Sequence, residues 1–320
     1  PMTGLREIGE FGLIRLLTDH NLPHPQVILG PGDDAAVLSI GDRWVLYTTD
    51  MLIEDVHFTL RTTTPYQLGQ KALAVNLSDI AAMGGQPTFA VVSLGLPPNT
   101  STEFAEELYR GMAHMAHTHG ARIVGGDTVK SSSLIINVAL LGETESGHAV
   151  LRNGARPGDV ICVTNTLGDS AAGLALLSAN MPGPTEKHLV PQPRVKEGRL
   201  LVGLATAMID LSDGLAGDLA HICARSGVGA KIKKELLPIS EEVLRTAEAL
   251  NQDPIQWALR GGEDFELLFT VPPGKVPSKI GPSTVHPVGE IVAEPGIKLI
   301  DGETMTVIEG AYDHFRLGDS

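Results

Sequence analysis

A helical segment at residues 65–83 constrains the fold more than any other part of the sequence. Thr64, Pro65 and Gln67 match the pattern of a capping box with proline in the first turn, and Gly84 ends the segment. Between these ends the segment is apolar on most of its circumference, which predicts burial on several sides. Segments typical of strands alternate with helical ones along the chain. Residues 43–49 are predicted to form a strand that ends at Asp50, and residues 122–124 a short strand before Gly125 and Gly126, which either let the backbone approach a ligand closely or make a tight turn. We therefore predict an α/β fold made of α+β layers.

Length and turn composition predict two domains. The chain has 320 residues, and a domain typically has about 150. Residues 152–159 are rich in turn-forming types and are the candidate junction, so the predicted domains are 1–150 and 151–320. The tripeptide Leu-Ser-Asp occurs at 77–79 and again at 211–213, which hints at two related halves.

Charge and apolar patterning exclude several classes of protein. The formal net charge is 24 − 38 = −14, the wrong sign for a non-specific nucleic-acid binder. No apolar run approaches the ~18 residues needed to cross a bilayer, and no basic stretch precedes an apolar one as in a secretory signal. The two cysteines, Cys162 and Cys223, form neither a disulfide framework nor a zinc cluster. We expect a cytoplasmic protein with no nucleic-acid or membrane partner.

The aspartates are the main indication of function, since the sequence contains no P-loop or dinucleotide-binding fingerprint. They recur beside glycine, serine or threonine in otherwise apolar stretches, at Asp34, Asp50, Asp79, Asp127, Asp210 and Asp213. Each one alone has an ordinary interpretation as a turn residue or as the polar exit of a strand. If they converge, their repulsion requires cations or raised pKa values. Oxygen-only ligands favour Mg²⁺ over zinc, and Mg²⁺ clusters usually serve phosphate chemistry.

Asp79 is the hardest of these aspartates to explain structurally. It lies in the apolar helical segment, on the same face as Asn76. A charge in such a helix is costly unless it is paired or bound to a metal. Asp79 is therefore the best single candidate for a metal ligand.

Several motifs together resemble those of thiamine-monophosphate kinases, in order and over nearly the whole chain. They are the stretches at 32–36, 49–50 with 57–58, 71–79, 125–128, 210–215, 261–267 and 312–315. The resemblance implies phosphorylation of thiamine monophosphate by ATP to give thiamine diphosphate. It also implies the two-domain aminoimidazole-ribonucleotide-synthetase-like fold and a homodimer formed through the N-terminal sheet. The apolar segments at 44–47 and 134–141 are candidates for that dimer face.

The resemblance also assigns roles by motif, with several Mg²⁺ ions and ATP as co-substrate. The Mg²⁺ ligands would be Asp34, Thr48, Thr49, Asp50, Asp79, Asp127, Asp210 and Asp213. ATP would be contacted by Tyr109, Gly126, Asp127, Arg152 and Ser212. Thiamine monophosphate would be contacted by His57, Glu263 and Tyr312. The catalytic set would be Asp50, Asp127, Arg152 and Asp210.

Two alternatives stay open at this point. Another ATP-dependent synthetase of the same fold would share the aspartates. A non-catalytic regulator that binds Mg²⁺ and a nucleotide would lack an acceptor site. For the kinase we expect direct in-line transfer, because the acceptor is already a phosphate oxygen and needs positioning more than a covalent relay. Because Mg²⁺ would occupy the aspartates, His57 is the only candidate for a protein phosphoryl acceptor near the motifs, and a substrate-orienting role suits it better.

Overall fold

The structure is a computed structural model that describes residues 4–145 and 147–308. Tyr312, assigned to the substrate by resemblance, lies outside the described residues. Within these two ranges the strands form two sheets, one in each half of the chain. No described helix combines the length and the apolar character needed to cross a membrane.

The N-terminal half contains one sheet and three helices among its described residues. In chain order its elements are α1 (Leu5–Thr18), β1 (Val27–Leu29), β2 (Ala36–Ile40), β3 (Arg43–Ile53), α2 (Pro65–Ala82), β4 (Gln86–Leu96), α3 (Thr102–Thr118), β5 (Arg122–Lys130) and β6 (Ile135–Glu145). The strand order is β1-β2-β3-β6-β4-β5. Only β4 and β5 pair in parallel, as expected for two strands joined by a helix.

The C-terminal half contains the second sheet. Its elements are β7 (Val160–Thr164), α4 (Asp169–Ser178), α5 (Glu186–Leu189), α6 (Val195–Leu201), β8 (Ala207–Asp210), α7 (Leu215–Ser226), β9 (Gly229–Lys233), a 3₁₀ turn (Lys234–Leu236), α8 (Glu241–Leu250), α9 (Pro254–Arg260), β10 (Leu267–Val271), β11 (Lys279–Ile280), β12 (Ser283–Val292), β13 (Gly296–Asp301) and β14 (Thr304–Ile308). The order is β14-β13-β9-β12-β7-β10-β8, with β11 on β12.

Helix α2 lies between the two halves, as its composition predicts. The Thr64 hydroxyl accepts from the Gln67 backbone N–H, and the Gln67 side chain accepts from the Thr64 backbone, which completes the capping box. Its apolar residues belong to the core of the N-terminal sheet. Its far side meets α6, where Gly198 leaves so little room that an added Cβ would stand 2.0 Å from the Ala81 carbonyl oxygen. The helix is thus covered by both halves of the chain.

Two predicted strand ends are wrong. The strand that begins at Arg43 was expected to end at Asp50, but β3 continues to Ile53. The strand that begins at Arg122 was expected to stop at Val124 before a glycine turn, but β5 continues to Lys130. A Cβ on Gly126 would lie 1.8 Å from the Val92 carbonyl oxygen. This glycine therefore permits close strand pairing and does not make a turn.

Candidate active site

Three carboxylates from separate parts of the chain meet at one point. Asp34 lies in the loop before β2, Asp79 in the last turns of α2, and Asp210 at the end of β8. Each offers an oxygen within 4.8 Å of the others. Because Asp210 comes from the C-terminal half, this acidic cluster joins both halves of the chain. The structure thus brings three of the six candidate aspartates together.

Neighbouring polar groups orient the carboxylates. The Thr48 hydroxyl donates to Asp79 at 2.5 Å, and the Ser78 hydroxyl donates to Asp210 at 2.5 Å. The Asn76 side-chain oxygen accepts from the backbone N–H of Asp50 at 3.0 Å, which ties β3 to α2 beside the cluster. These contacts explain why the otherwise apolar helix contains Asn76 and Ser78, because both bind residues in or beside the acidic cluster.

Burial raises the pKa of all four carboxyls in this group, and at Asp50, Asp79 and Asp210 the charges of neighbouring carboxylates raise it further. Burial raises the pKa of Asp50 to about 6, and the nearby Asp34 carboxylate contributes. Burial, followed by the charges of Asp50, Asp210 and Asp34, raises the pKa of Asp79 well above its usual value. Burial and then Asp34 do the same to the pKa of Asp210. Such a group must hold protons or bind a cation.

Arg152 supplies the positive charge beside the cluster. Its guanidinium lies 2.5 Å from Asp34 Oδ1, and its backbone N–H donates to Asp33 at 3.0 Å. Burial still raises the pKa of Asp34 in spite of the arginine. Asp33 was not among the predicted site residues, although burial raises its pKa to about 6. The single arginine therefore offsets only part of the buried negative charge.

A cavity of about 770 Å³ opens from the acidic cluster. Asp50, Asp79, Asp210 and Asp213 line one end of it. The remaining lining comes from β3 and the loop after it, from α2, from α4 and α5, from the loop after β8, and from the end of α9 with the loop that follows it. It includes Thr49, His57, Arg61, Lys71, His188, Ser212, Arg260 and Glu263. Its size suits a small organic ligand.

The predicted substrate residues lie in this lining. His57 Nδ1 accepts from the Ile53 backbone N–H at 3.1 Å, which fixes the ring in the loop after β3. Glu263 has a left-handed backbone with φ +54°, and its backbone N–H donates to the Ser212 carbonyl at 2.8 Å. His57, Ser212 and Glu263 thus share one cavity with the acidic cluster, and their predicted contacts with ligands stay predictions.

Other predicted site residues are not brought together with the cluster. Asp50 is in register across the sheet with Val138, Val92 and then Gly126, three strand spacings or about 14 Å away. Asp127, the next residue along β5, therefore projects from the opposite face of the sheet. It accepts from the Thr128 backbone N–H.

Two further predicted residues also stand apart from the acidic cluster. Tyr109 is 46% exposed on α3, away from the described cavity lining. Thr49 reaches that lining, but its hydroxyl donates to the Val138 carbonyl oxygen.

Sequence reasoning missed Lys71, Ser78 and Asp33. Lys71 is 3% exposed although it is a lysine, and it lies in the cavity wall. The signal was present, because a single lysine stands in the otherwise apolar run of α2. Ser78 was visible only as a member of a repeated tripeptide. Asp33 was hidden in a Gly-Asp-Asp sequence that is typical of ordinary turns.

Comparison with known proteins agrees with this architecture. The family model for the AIR synthase related protein N-terminal domain matches residues 32–144, and the model for the C-terminal domain matches residues 156–302. Hydrogenase maturation protein HypE has a related fold, with a TM-score of 0.72 at 19% identity over 92% of this chain and 96% of that one. The two halves are therefore the two domains of the AIR synthase related class.

Relatives with much higher identity are thiamine-monophosphate kinases. The Mycobacterium tuberculosis protein is 40% identical over 96% of this chain and 92% of its own length. The Escherichia coli protein is 40% identical over 96% of this chain and 98% of its own. A solved structure described as AaThiL complexed with AMPPCP and TMP has a TM-score of 0.89 and 36% identity, covering 98% of this chain and 99% of that one. The chain belongs to the thiamine-monophosphate kinase family.

Proposed function

We propose that this protein transfers the γ-phosphoryl group of ATP to thiamine monophosphate, giving ADP and thiamine diphosphate. The observation that carries the proposal is the meeting of Asp34, Asp79 and Asp210 beside one cavity of about 770 Å³. A buried acidic cluster next to a ligand-sized space suits cation-assisted phosphate chemistry. The family membership supports the particular donor and acceptor.

The acidic cluster fits Mg²⁺ in its chemistry. All of its donors are oxygens. Burial, and then repulsion between the carboxylates, raises the pKa values of Asp50, Asp79 and Asp210, and a bound cation would offset both effects. We propose Asp34, Asp50, Asp79, Asp210 and Asp213 as ligands, with Thr48 beside them through its hydrogen bond to Asp79. Thr49 stays a proposed ligand, although its hydroxyl donates to the Val138 carbonyl oxygen. Bound Mg²⁺ would supply neutralising charge for the phosphate groups. The protein itself would hold the carboxylate oxygens in the positions that bind the ion.

The remaining proposed roles concern contacts with ATP and with thiamine monophosphate. Arg152, next to Asp34, would stabilise negative charge on the transferring phosphoryl group and contact ATP together with Ser212. His57 and Glu263 would contact thiamine monophosphate from the cavity wall. Tyr109, Gly126 and Asp127 stay proposed as nucleotide contacts, and Asp127 as a further metal ligand. Tyr312 stays a proposed substrate contact.

The transfer is proposed to be direct. A phosphate oxygen of the acceptor forms the new bond to the γ-phosphorus, while the bond from that phosphorus to the oxygen bridging the β-phosphate breaks. The aspartates are poor nucleophiles while they hold cations, and His57 is fixed by the Ile53 backbone N–H. Incubation with γ-labelled ATP in the absence of thiamine monophosphate should leave the protein unlabelled. Stoichiometric label that chases into product would make the reaction a two-step transfer.

A homodimer through the outer face of the N-terminal sheet is part of the proposal. That face presents Tyr47, Met51, Phe89 and Val91, which are 42% to 51% exposed. Their strands β3, β6 and β4 lie side by side, so the face is continuous, and lasting interfaces are apolar. We also propose a cytoplasmic location, which suits the free and buried thiols of Cys162 and Cys223.

Product analysis tests the function directly. The purified protein is incubated with ATP, Mg²⁺ and thiamine monophosphate, and the products are separated by chromatography. Thiamine diphosphate and ADP should form in equal amounts. ATP binding without turnover would favour the non-catalytic regulator. Turnover only with a different acceptor would favour another synthetase of the same fold.

A further inference from the structure

Lys71 is one of the charged residues of the cavity wall that the proposed function does not use. It lies on α2 two turns before Asp79, about 12 Å along the helix axis. Its side chain is 4% exposed. A lysine buried this deeply in an apolar helix is unfavourable unless its ammonium is paired. Its position places a fixed positive charge in the cavity wall, two helical turns from the acidic cluster.

The partner of Lys71 is Glu263, in the C-terminal half. Lys71 Nζ donates to Glu263 Oε2 at 3.1 Å. The two residues are 192 positions apart in the sequence. The pair therefore crosses from one domain to the other inside the cavity. Because the two charges cancel, Glu263 adds no net negative charge next to an anionic substrate.

The backbone of the loop that presents Glu263 is already fixed without Lys71. Glu263 and Phe265 have φ of +54° and +49°, which is uncommon for residues with side chains. The Phe265 backbone N–H donates to the Leu211 carbonyl at 2.9 Å. Asp264 accepts from the backbone N–H groups of Gly168 and Ser170 at 2.8 and 3.1 Å. A strained backbone held by so many contacts is typical of a functional loop.

The Glu263 side chain depends on different contacts. It is 30% exposed to the cavity, and His188 Nδ1 lies 3.4 Å from Glu263 Oε2. Burial, then the charge of Lys71, lowers the pKa of His188 to about 4, so this histidine is neutral at pH 7. Lys71 is therefore the cation that the structure sets against the Glu263 carboxylate. Without it, the carboxylate would regain rotational freedom.

We propose that Lys71 is a positioning residue, whose ammonium reaches across the domain boundary to hold the Glu263 carboxylate toward the organic part of the acceptor substrate. The C-terminal half fixes the Glu263 backbone, and the N-terminal half fixes its side chain. The proposal rests on the proposed function for the identity of the substrate. It predicts an effect on binding of the acceptor and none on ATP.

The test compares Lys71→Met, Glu263→Gln and the double variant with the unchanged protein. Methionine keeps the length and apolar stem of lysine and removes the charge. Lys71→Met should raise the KM for thiamine monophosphate about tenfold or more, equivalent to about 1.4 kcal/mol, and leave the KM for ATP unchanged. The double variant should be no worse than Glu263→Gln alone, because both changes remove one contact. Lys71→Arg should recover part of the loss.

The results of these measurements distinguish the positioning role of Lys71 from a purely structural role, and they distinguish failure of this proposal from failure of the proposed function. The free energy of unfolding in urea is also measured for the unchanged protein, the two single variants and the double variant, which together form a double-mutant cycle. The positioning role would be overturned if the Lys71 and Glu263 substitutions were non-additive in the free energy of unfolding but not in the KM for thiamine monophosphate. It would also be overturned by additive effects on that KM, or by an equal rise in the KM for ATP. Failure of the unchanged protein to use thiamine monophosphate would instead overturn the proposed function. Lys234→Met, which removes the exposed pair with Asp301, is the matched control and should behave as the unchanged protein.

Discussion

The Ser78 hydroxyl donates to the Asp210 carboxylate at 2.5 Å, and this hydrogen bond joins the two halves of the chain inside the acidic cluster. Both residues are buried, at 0% and 3% exposure. Ser78 belongs to the first Leu-Ser-Asp tripeptide, and Asp210 directly precedes the second. The repeated tripeptide therefore marks the two sides of a single site.

Asp79→Asn is expected to remove activity and stabilise the protein without its metal. Turnover should fall by at least about 100-fold, the size of a lost electrostatic contact in a transition state. The free energy of unfolding in the absence of divalent ions should rise, because the substitution removes one of the repelling buried carboxyls. Asparagine still accepts from Thr48.

Steady-state kinetics and thermal unfolding in a chelating buffer measure the two effects of Asp79→Asn. The control is Asp301→Asn, which changes an exposed carboxylate on β13. A less stable variant with preserved turnover would show that Asp79 is a structural residue and not a ligand.

Gly198→Ala is expected to push α6 away from α2. The added methyl would stand 2.0 Å from the Ala81 carbonyl oxygen, so backbone has to move. We expect a loss of about 1–3 kcal/mol in the free energy of unfolding, typical of an overpacked contact. Urea unfolding measures it. Gly4→Ala, where nothing lies within 4 Å, serves as the control, and an equal loss in both variants would contradict the explanation.

Val91→Glu is expected to convert a dimer to a monomer. Val91 is 42% exposed on the outer face of the N-terminal sheet, and a charge there would be desolvated in the proposed interface. Sedimentation velocity at micromolar concentration should show a dimer for the unchanged protein and a monomer for the variant. Leu244→Glu on α8, a residue 48% exposed, should remain dimeric. A monomeric unchanged protein would refute the proposed assembly.

His221 is expected to make stability depend on pH between about 4 and 6.5. Burial, then the charge of Arg152, lowers the pKa of His221 to about 4 from the ordinary value of 6.5. In this window the unfolded chain binds more protons than the folded one, so the free energy of unfolding falls as pH falls. The stabilisation is complete above pH 6.5 and amounts to up to about 3 kcal/mol.

His221→Phe isolates that contribution, because it keeps a ring next to Phe11, whose centroid lies 5.0 Å from that of His221. Urea unfolding of both proteins is measured at several pH values. The difference between them should change across the window from 4 to 6.5 and be constant above it. A difference that does not vary with pH would show that His221 titrates alike in the folded and unfolded chains.

Local signals in the sequence predicted the parts of the structure that depend on local physics. The capping box of α2 is confirmed because its hydrogen bonds join residues three positions apart. The alternation of strands and helices predicted the layers. The cost of burying a charge in an apolar helix indicated a ligand role for Asp79, whereas its meeting with Asp34 and Asp210 was left open by the sequence. These inferences needed no knowledge of which strands are neighbours.

Features that depend on register and on long-range pairing were not predictable in the same way. The face of β5 that carries Asp127 is decided by its alignment with β4, and one residue of shift would exchange the faces. Lys71 pairs with Glu263, which is 192 residues away in the sequence, so no local pattern predicts this ion pair. Gly126 was expected either to let the backbone approach a ligand or to make a tight turn, because close backbone approach between strands leaves the same glycine signal.

The hydrogen bond from Ser78 to Asp210 spans 132 residues of sequence, and this separation sets an order of events at the ribosome. The N-terminal sheet and α2 leave the exit tunnel well before β8 has been made. Domains fold as units in the order in which they emerge. A chain interrupted after its first half therefore carries Asp34 and Asp79 without Asp210, so the acidic cluster is incomplete until the second half has been made.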